Sequence, residues 1–389
     1  MSTQVPFDVV IYGASGFTGR LVAEYMSQQY DRSVNWAMAG RSATKLAAVR
    51  DEIGAAKDTP LVVADASDPA SLRAMVANAR CIITTVGPYQ LYGSDLVAAC
   101  AELGTDYVDL SGEPAWMHEM IAKHHDAAVT SGARIVHSCG FDSIPFDLGV
   151  YFLEQAALEK FGKPLPRVRG RVRSMNGEFS GGTAASLTAT MTALGENPAL
   201  LAILANPFAL ANGFTGPRQP ADNKVYEDEL LGQWVAPFIM AAINTKNVHR
   251  SNALLDQRYG ADFQYDEMML TGSGEQGKAI ADIVASSNPL VGDDVPKPGE
   301  GPSKASREAG NYDVLFVGTN NDGDELRASV TGDLDPGYGS TSKMIAESAL
   351  CLIHDCPDLK GGIYTPAPAM GEKLITRLVA HAGMTFNLE

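Results

Sequence analysis

Near its start the chain reads Phe7-Asp-Val-Val-Ile-Tyr12, a β-strand pattern, followed by the turn Gly13-Ala-Ser-Gly16-Phe-Thr-Gly19 and the helical pattern Arg20-Leu-Val-Ala-Glu-Tyr-Met26. In such a unit the first glycine allows a tight turn, the second lets backbone N–H groups approach a pyrophosphate, and the third lets the helix pack closely on the strand. A phosphate then lies at the positive end of the helix. The pattern predicts a dinucleotide-binding turn, and a tight turn without a ligand is the alternative. The residues that we assign to this turn are Gly13, Ser15, Gly16, Phe17, Thr18 and Gly19.

The residues after the second predicted strand, 34–39, indicate which dinucleotide binds. A free ribose 2′-hydroxyl is usually held by an Asp or Glu about 20 residues beyond the glycines, whereas a 2′-phosphate needs positive charge there. Here Arg41 and Ser42 follow the strand and Lys45 lies one turn later, with no carboxylate at the expected place. A guanidinium forms a fixed, charged fork for a phosphate, so these residues predict NADP(H). The alternative is that Arg41 is a solvated residue at a helix start.

Further strand patterns alternate with helical patterns, as in a doubly wound parallel sheet. They lie at residues 60–65, 81–86, 107–113 and 134–139. Because ligands bind beyond the carboxyl ends of such strands, Gly87 and Pro88 are expected to place bare backbone beside the nicotinamide-ribose. Asp65 is expected to meet the adenine amino group, or else to cap the next helix.

A change of periodicity beyond Phe146 predicts a second domain. Residues 313–318 and 325–331 predict a β-hairpin across Asn320-Asn-Asp-Gly323, and no helix separates these strands. The second domain is therefore expected to be α+β with a mixed or antiparallel sheet. The predicted boundaries are residues 1–145 for the first domain, completed by C-terminal helices within 340–389, and residues 146–339 for the second.

Two stretches of the second domain point to its surface and its pocket. The apolar stretch at 197–212 predicts a helix interrupted by Pro207, which belongs either to the core or to a channel for an apolar substrate. Residues 237–254 mix apolar bulk with Asn, His and Arg, a combination suited to a pocket wall with a few polar anchors. The alternation of Arg167, Arg169, Arg171 and Arg173 predicts the solvated face of a strand.

Composition limits the classes of function. A chain of 389 residues is long enough for two domains, and its net charge of −16 argues against nucleic acid binding, which needs a basic face. The five cysteines form no C-x-x-C pair, and no secretory signal or segment of about 20 apolar residues is visible. These features predict a cytoplasmic protein without a transmembrane segment and without a metal site. The sequence leaves open whether the chain forms a homodimer.

Short motifs along the whole chain resemble the saccharopine dehydrogenase-like oxidoreductases, and within them the trans-acting enoyl reductases of polyketide-lipid assembly. These motifs are the glycine turn at 13–20, Gly40-Arg41, Val86-Gly-Pro-Tyr89, residues 104–113, Gly140-Phe-Asp-Ser-Ile-Pro145 and Gly361-Gly-Ile-Tyr-Thr-Pro366. The resemblance implies an α/β protein in which a Rossmann-type parallel sheet domain carries an inserted α+β domain. It implies NADP(H) as cofactor and an acyl or other small-molecule substrate, either free or presented by a carrier protein.

Reduction of a double bond needs a proton donor as well as a hydride, and the donor must reach the substrate. The candidates at the strand ends are Tyr89, Glu113, His137 and Asp142, of which Tyr89 is favoured; Glu113 and Asp142 are alternatively helix caps. Two further function classes stay open. A C–N dehydrogenase of the amino-acid type would need cations for substrate carboxylates, for which Arg250 and Arg258 are the candidates, and a non-catalytic NADP-binding scaffold is the other.

Overall fold

The computed structural model describes residues 5–30, 33–177, 181–287 and 300–389. Within these ranges the β-strands are β1 Phe7–Tyr12, β2 Trp36–Gly40, β3 Leu61–Val63, β4 Ala79–Thr84, β5 Asp106–Val108, β6 Arg134–Val136, β7 Arg167–Asn176, β8 Tyr226–Asp228, β9 Gln233–Pro237, β10 Gln264–Gly272, β11 Asn311–Thr319, β12 Glu325–Gly332, β13 Gly362–Tyr364 and β14 Met384–Leu388. The α-helices are α1 Phe17–Gln29, α2 Ala43–Glu52, α3 Pro69–Val76, α4 Tyr89–Tyr92, α5 Ser94–Leu103, α6 Pro114–Ser131, α7 Ile144–Phe161, α8 Gly181–Glu196, α9 Leu200–Ala205, α10 Ala241–Leu254, α11 Gly274–Ser286, α12 Lys304–Ala309, α13 Thr341–His354 and α14 Pro366–His381.

The first sheet is parallel and has the strand order β13-β6-β5-β4-β1-β2-β3. Successive residues of its central strand β1 enter two different cores: Val9 and Ile11 pack on one face and Val10 and Tyr12 on the other. Both faces of the sheet are therefore covered, which explains the continuous apolar run in the sequence. The chain order reverses between β1 and β4, and this switch point is where doubly wound sheets bind ligands. The predicted Rossmann-type sheet is confirmed.

Two strands of this sheet, β5 and β6, end earlier than the sequence predicts, because a buried carboxylate binds the loops that follow them. Asp109 Oδ1 accepts hydrogen bonds from the backbone N–H groups of Ser111 and Ser138, at 2.9 and 2.8 Å. Its Oδ2 accepts one from the Tyr107 hydroxyl at 2.9 Å and lies 2.7 Å from His137 Nδ1. The carboxylate thus fixes the loops at the carboxyl edge of the sheet.

The second sheet is mixed, with the order β14-β12-β11-β7-β10-β9-β8. The pair of β7 and β10 is parallel and the other pairs are antiparallel. The predicted hairpin is confirmed by β11 and β12, which pair from Thr319 opposite Glu325 onward. Helix α7 covers this sheet and approaches it closely, since a Cβ atom on Gly149 would lie 2.3 Å from the Phe316 ring.

The solvated strand face predicted for the arginines of β7 is wrong at Arg171, which is fully buried. Its guanidinium forms ion pairs of 2.9 Å with Asp266 on the neighbouring strand β10 and 2.9 Å with Asp228 on β8, at the edge of the same sheet. A buried guanidinium needs such partners, because an unpaired charge is costly to remove from water. The pairing of β7 with β11 is irregular just after Val172. Arg173, which lies at this irregularity, is partly exposed and forms ion pairs with Asp313 and Glu389.

The C-terminal segment contributes to both sheets. β13 adds a seventh strand to the parallel sheet, next to β6, and β14 pairs with β12 at the edge of the mixed sheet. Only helices were predicted within residues 340–389, so both of these strands were missed. The apolar stretch at 197–212 is also less helical than expected, since α9 covers only Leu200–Ala205. The division of the chain at residues 145 and 339 stays a prediction.

Candidate active site

A cavity of about 1950 Å³ lies at the carboxyl edge of the parallel sheet. The glycine turn, the loops after β2, β4, β5 and β6, and helices α8 and α10 form its walls. Pockets for a single small ligand usually measure about 300–1,000 Å³. The cavity is therefore large enough for a dinucleotide and a second molecule beside it.

The glycine turn at one end of this cavity has the geometry of a phosphate site. Gly13 has φ +94°, a left-handed conformation that favours glycine, and a Cβ on Gly19 would lie 2.2 Å from the carbonyl oxygen of Gly13. Gly19 therefore serves the packing of α1 on β1 and is not a lining residue. The N-terminus of α1 has neither a side-chain cap at Gly16 nor an acidic residue in its first turn. Its N–H groups are available to an anion, and the turn residues that line the cavity are Gly13, Ser15, Gly16, Phe17 and Thr18.

The loops after β2 and β3 line the same end of the cavity through Arg41 and Asp65. Arg41 is exposed and follows β2, as expected for a group that binds the adenosine side of a dinucleotide. Asp65 Oδ1 accepts hydrogen bonds from the N–H and hydroxyl groups of Ser67, at 2.9 and 2.8 Å. These bonds, and the nearby charge of Arg41, lower the pKa of Asp65. The helix cap that was the alternative role for Asp65 is provided by Asp68 instead.

Two of the residues assigned to the 2′-phosphate do not line the cavity in the described part of the chain. Ser42 caps α2, because its hydroxyl oxygen accepts the N–H of Lys45 at 3.3 Å. The Lys45 side chain is exposed on the first turn of that helix. The structure thus brings Arg41 to the site and leaves Ser42 and Lys45 at its margin.

Tyr89, which follows Gly87 and Pro88 at the cavity wall, has a hydroxyl group that is bonded to the backbone. The hydroxyl donates to the carbonyl of Thr84 at 3.1 Å and accepts the N–H of Leu110 at 3.0 Å. The ring stacks on Trp116, and burial raises the pKa of Tyr89 well above its usual value. This geometry favours a structural role over the expected role as proton donor.

Glu113 does not cap its own helix α6 but binds two other helices. Its carboxylate accepts the backbone N–H groups of Tyr89 and Gln90 at 2.9 and 2.8 Å, at the start of α4. It also accepts the hydroxyl of Ser186 on α8 at 2.8 Å. With three donors the carboxylate is well satisfied, and it connects α8 to the dinucleotide side of the cavity.

Asp142 is the candidate whose carboxyl group stays available. It lies half-buried at the cavity wall just before α7, and within the described ranges it has no hydrogen-bond partner, so it does not cap that helix. Burial raises the pKa of Asp142 to about 6. Tyr338 lines the cavity nearby, and burial together with the charge of Asp142 raises the pKa of this phenol.

The far wall of the cavity comes from α10 and the residues just before it. The residues that line the cavity here are Ile239, Met240, Ala242, Ile243 and Lys246. Only the first half of the predicted pocket wall, residues 237–254, therefore faces the cavity. Lys246 was not among the residues predicted for the site; the available signal was its helical spacing, four residues after Ala242 and three after Ile243.

Neither arginine proposed as a carboxylate anchor lies at the cavity. Arg250 is fully buried and donates to the carbonyls of Leu210 and Ile363, both at 2.6 Å. Arg258 is exposed elsewhere on the surface. Neither Arg250 nor Arg258 can therefore hold a substrate carboxylate in the cavity, as a C–N dehydrogenase would require. The residues described also contain no group of three His, Cys, Asp or Glu side chains that could hold a metal ion.

Together the parallel sheet, the uncapped glycine turn and the cavity at the switch point define a dinucleotide-binding protein. Comparison with known proteins gives the family. Residues 9–136 match the saccharopine dehydrogenase NADP binding domain. A Mycobacterium tuberculosis protein named as a trans-acting enoyl reductase is 42% identical over 97% of both chains. The trans-acting enoyl reductase of Mycobacterium ulcerans is 39% identical over 97% of this chain and 96% of its own. The chain belongs to this group of saccharopine dehydrogenase-like proteins and is an NADP-dependent oxidoreductase.

A solved structure supports the fold. Apo saccharopine dehydrogenase (L-Glu forming) from Saccharomyces cerevisiae superposes with a TM-score of 0.56 over 98% of this chain and 100% of its own. Its sequence identity is only 12%, so it supports the fold and not the substrate. None of the helices in the described ranges has the length and apolar character needed to span a bilayer.

Proposed function

We propose that this protein reduces the carbon–carbon double bond of an enoyl thioester with NADPH. The observation that carries the proposal is a single cavity that joins a phosphate-binding turn to an apolar wall beside one free carboxyl group, Asp142. The names of the relatives support the same reaction, since they are called enoyl reductases.

The residues at the glycine-turn end fit the phosphates of NADP(H). The N–H groups at the start of α1 would bind the pyrophosphate, and Arg41 would bind the 2′-phosphate. Gly87 and Pro88 would contact the nicotinamide-ribose from the end of β4. When bound, NADPH supplies a hydride. The protein must then supply one proton and hold the acyl group in place.

Asp142 is our candidate for the proton donor. A general acid works best when its pKa lies near the operating pH, and burial brings the pKa of this carboxyl group to about 6. Within the described ranges no hydrogen bond engages its carboxyl group, whereas the Tyr89 hydroxyl donates to a backbone carbonyl and the Glu113 carboxylate accepts backbone N–H groups. After donation, its carboxylate can take up a proton from water through the open side of the cavity.

Helix α8 and its neighbours give the second half of the cavity an apolar lining that suits an acyl chain. Leu187, Met191 and Leu194 line it from α8, and Leu204 lines it from α9. Met191 remains 61% exposed, so part of this lining is open to solvent at the cavity mouth. An open apolar mouth would accept a chain that stays attached to a carrier protein, which is the partner we propose.

Oxidation of NADPH with different substrates tests the proposal. We expect turnover with enoyl thioesters that are free or carrier-bound, and none with 2-oxo acids plus amines, because neither Arg250 nor Arg258 reaches the cavity to hold substrate carboxylates. Turnover on the amine reaction alone would favour the C–N dehydrogenase. Tight NADPH binding without turnover on either set would favour the scaffold.

A further inference from the structure

We propose that Lys246 binds the carbonyl oxygen of the acyl substrate and stabilises the negative charge that develops there during reduction. This inference rests on the proposed function and names the residue that activates the conjugated carbonyl.

Lys246 holds a special position among the charged residues of the cavity. Among the described residues that line the cavity, Arg41 and Lys246 are the only cations. The carboxylates that line it are more numerous: Asp65, Glu113, Asp142, Glu196 and Glu300. Arg41 follows β2, which lies toward one edge of the parallel sheet. Helix α10 lies on the other side of the switch point, near the loops that follow β5 and β6. Met240, just before α10, approaches Gly112 in the loop after β5. One cation therefore serves the adenosine side and the other the substrate side.

Lys246 is a buried donor at the apolar wall of the cavity. It is only 4% exposed and continues the face of α10 that presents Ala242 and Ile243 to the cavity. Its Nζ donates one hydrogen bond, to the carbonyl of Ala242 at 2.9 Å. An ammonium group has three donors, and in the described residues the other two have no hydrogen-bond partner. A buried cation normally has further partners, and a substrate oxygen would provide one.

Lys246 remains mainly cationic at neutral pH although it is buried. Burial lowers the pKa of Lys246 to about 8, and the charge of Asp222, in the segment before β8, counteracts part of that effect. His249, one turn further along α10, is buried and neutral, because burial and then the charge of Lys246 lower its pKa to about 3. Asp266 on β10 adds to the negative charge around Asp222.

Hydrogen bonds bring the wall that carries Lys246 close to the proton donor. Asn247, the next residue, donates its side-chain amide to the hydroxyl of Ser143 at 2.5 Å. The same hydroxyl lies 3.4 Å from Oδ1 of Asn244. Ser143 directly follows Asp142 in the chain, so these bonds hold α10 next to the segment that carries the proton donor.

The chemistry balances with these two residues. When a hydride adds to the β-carbon, the electron pair of the double bond moves toward the carbonyl, whose oxygen becomes negative. Lys246 stabilises that oxygen without giving up a proton. As the carbonyl re-forms, Asp142 donates its proton to the α-carbon. The double bond has then gained one hydride and one proton, and the carboxylate is reprotonated by water.

Lys246→Met and Lys246→Arg test the inference, with Lys123→Met, an exposed ion-paired residue on α6, as the control. We expect Lys246→Met to lower kcat about 100-fold, the typical loss of one oxyanion donor, with NADPH affinity within about twofold of the wild type. A saturated acyl thioester, titrated without turnover, should bind Lys246→Met about tenfold more weakly. Lys123→Met should match the wild type in every measurement.

The pH profile separates this role from a structural one and does not require Lys246→Met to fold. In the wild type, kcat/KM should begin to fall as the pH rises above about 6, where Asp142 loses its proton. It should fall more steeply above about 8, where Lys246 also loses its charge. The steeper part should disappear in Lys246→Arg, because arginine stays charged. Retention of more than a tenth of kcat in a folded Lys246→Met, or an unchanged profile in Lys246→Arg, overturns the inference. A wild type that reduces no enoyl thioester overturns the proposed function first, and this inference with it.

Discussion

Among single residues, Asp142 is the sharpest test of the proposed proton transfer. Asp142→Asn removes the proton and keeps the shape, so kcat/KM should fall about 100-fold or more. The affinity for NADPH should not change, since the carboxyl group lies outside the glycine turn. Steady-state kinetics and a cofactor titration check both statements. The wild-type rate should decline as the pH rises through about 6, because only the protonated acid donates, and Asp142→Asn should lose that decline.

Tyr89→Phe is the matched comparison for Asp142→Asn. It removes the hydroxyl that bonds Thr84 and Leu110 and leaves one buried N–H unsatisfied, which costs about 1–3 kcal/mol of stability. Turnover of the folded variant should nevertheless remain close to that of the wild type. A loss of turnover as large as that of Asp142→Asn would return the donor role to Tyr89.

Arg41 should decide the preference between the two nicotinamide dinucleotides. Arg41→Ala removes the charged fork that would hold the 2′-phosphate, so the affinity for NADPH should fall about 10- to 100-fold. The affinity for NADH, which lacks that phosphate, should change by less than about twofold. Fluorescence titration with both nucleotides measures the difference. Lys57→Ala, an exposed cation outside the cavity, is the control for a general effect of net charge. Equal losses for both nucleotides would contradict the assignment.

At the scale of secondary-structure elements, Glu113 should couple the short helix α4 to α8. Glu113→Gln keeps one acceptor oxygen but loses the charge that faces the N–H groups of Tyr89 and Gln90. We expect faster hydrogen exchange in both α4 and the first turns of α8. Ser186→Ala removes only the bond to α8 and should accelerate exchange in α8 alone. Equal effects of the two variants would mean that Glu113 does not connect these helices.

The same elements show which parts of the fold can be predicted from sequence. The glycine turn and the hairpin of β11 and β12 depend on residues a few positions apart, so their patterns are sufficient to predict them. Arg171 and Glu113 depend on partners that lie 57 and 73 residues away, which no local pattern contains. The predicted solvated face and the predicted cap failed for that reason. Lys246 was missed because its helical spacing shows only that it shares a face of α10 with Ala242 and Ile243, and not that a cavity lies beside that face.

For the molecule as a whole, buried carboxyl groups should make stability depend on pH. Glu154 and Asp147 are fully buried on α7; Glu154 accepts the N–H of Leu165 at 3.0 Å, and Asp147 accepts that of Ala367, at the start of α14, at 2.8 Å. Burial raises the pKa of Glu154 to about 8 and that of Asp147 to about 7. The folded protein therefore holds protons that the unfolded chain releases at about pH 4–4.5. The free energy of unfolding should be highest at low pH within this window and fall as the pH rises toward 8.

Urea unfolding of Glu154→Gln tests this whole-molecule effect. The variant cannot ionise, so the loss of stability between pH 5.5 and 8.5 should be smaller than in the wild type, by on the order of 1–3 kcal/mol. Glu159→Gln, on an exposed position of the same helix, changes the net charge equally and serves as the control. This control measures how much stability changes when one negative charge is removed from a protein whose net charge of −16 causes repulsion between its charged groups. If the two variants flatten the pH dependence equally, repulsion at the surface, and not the buried Glu154 carboxyl group, is its cause.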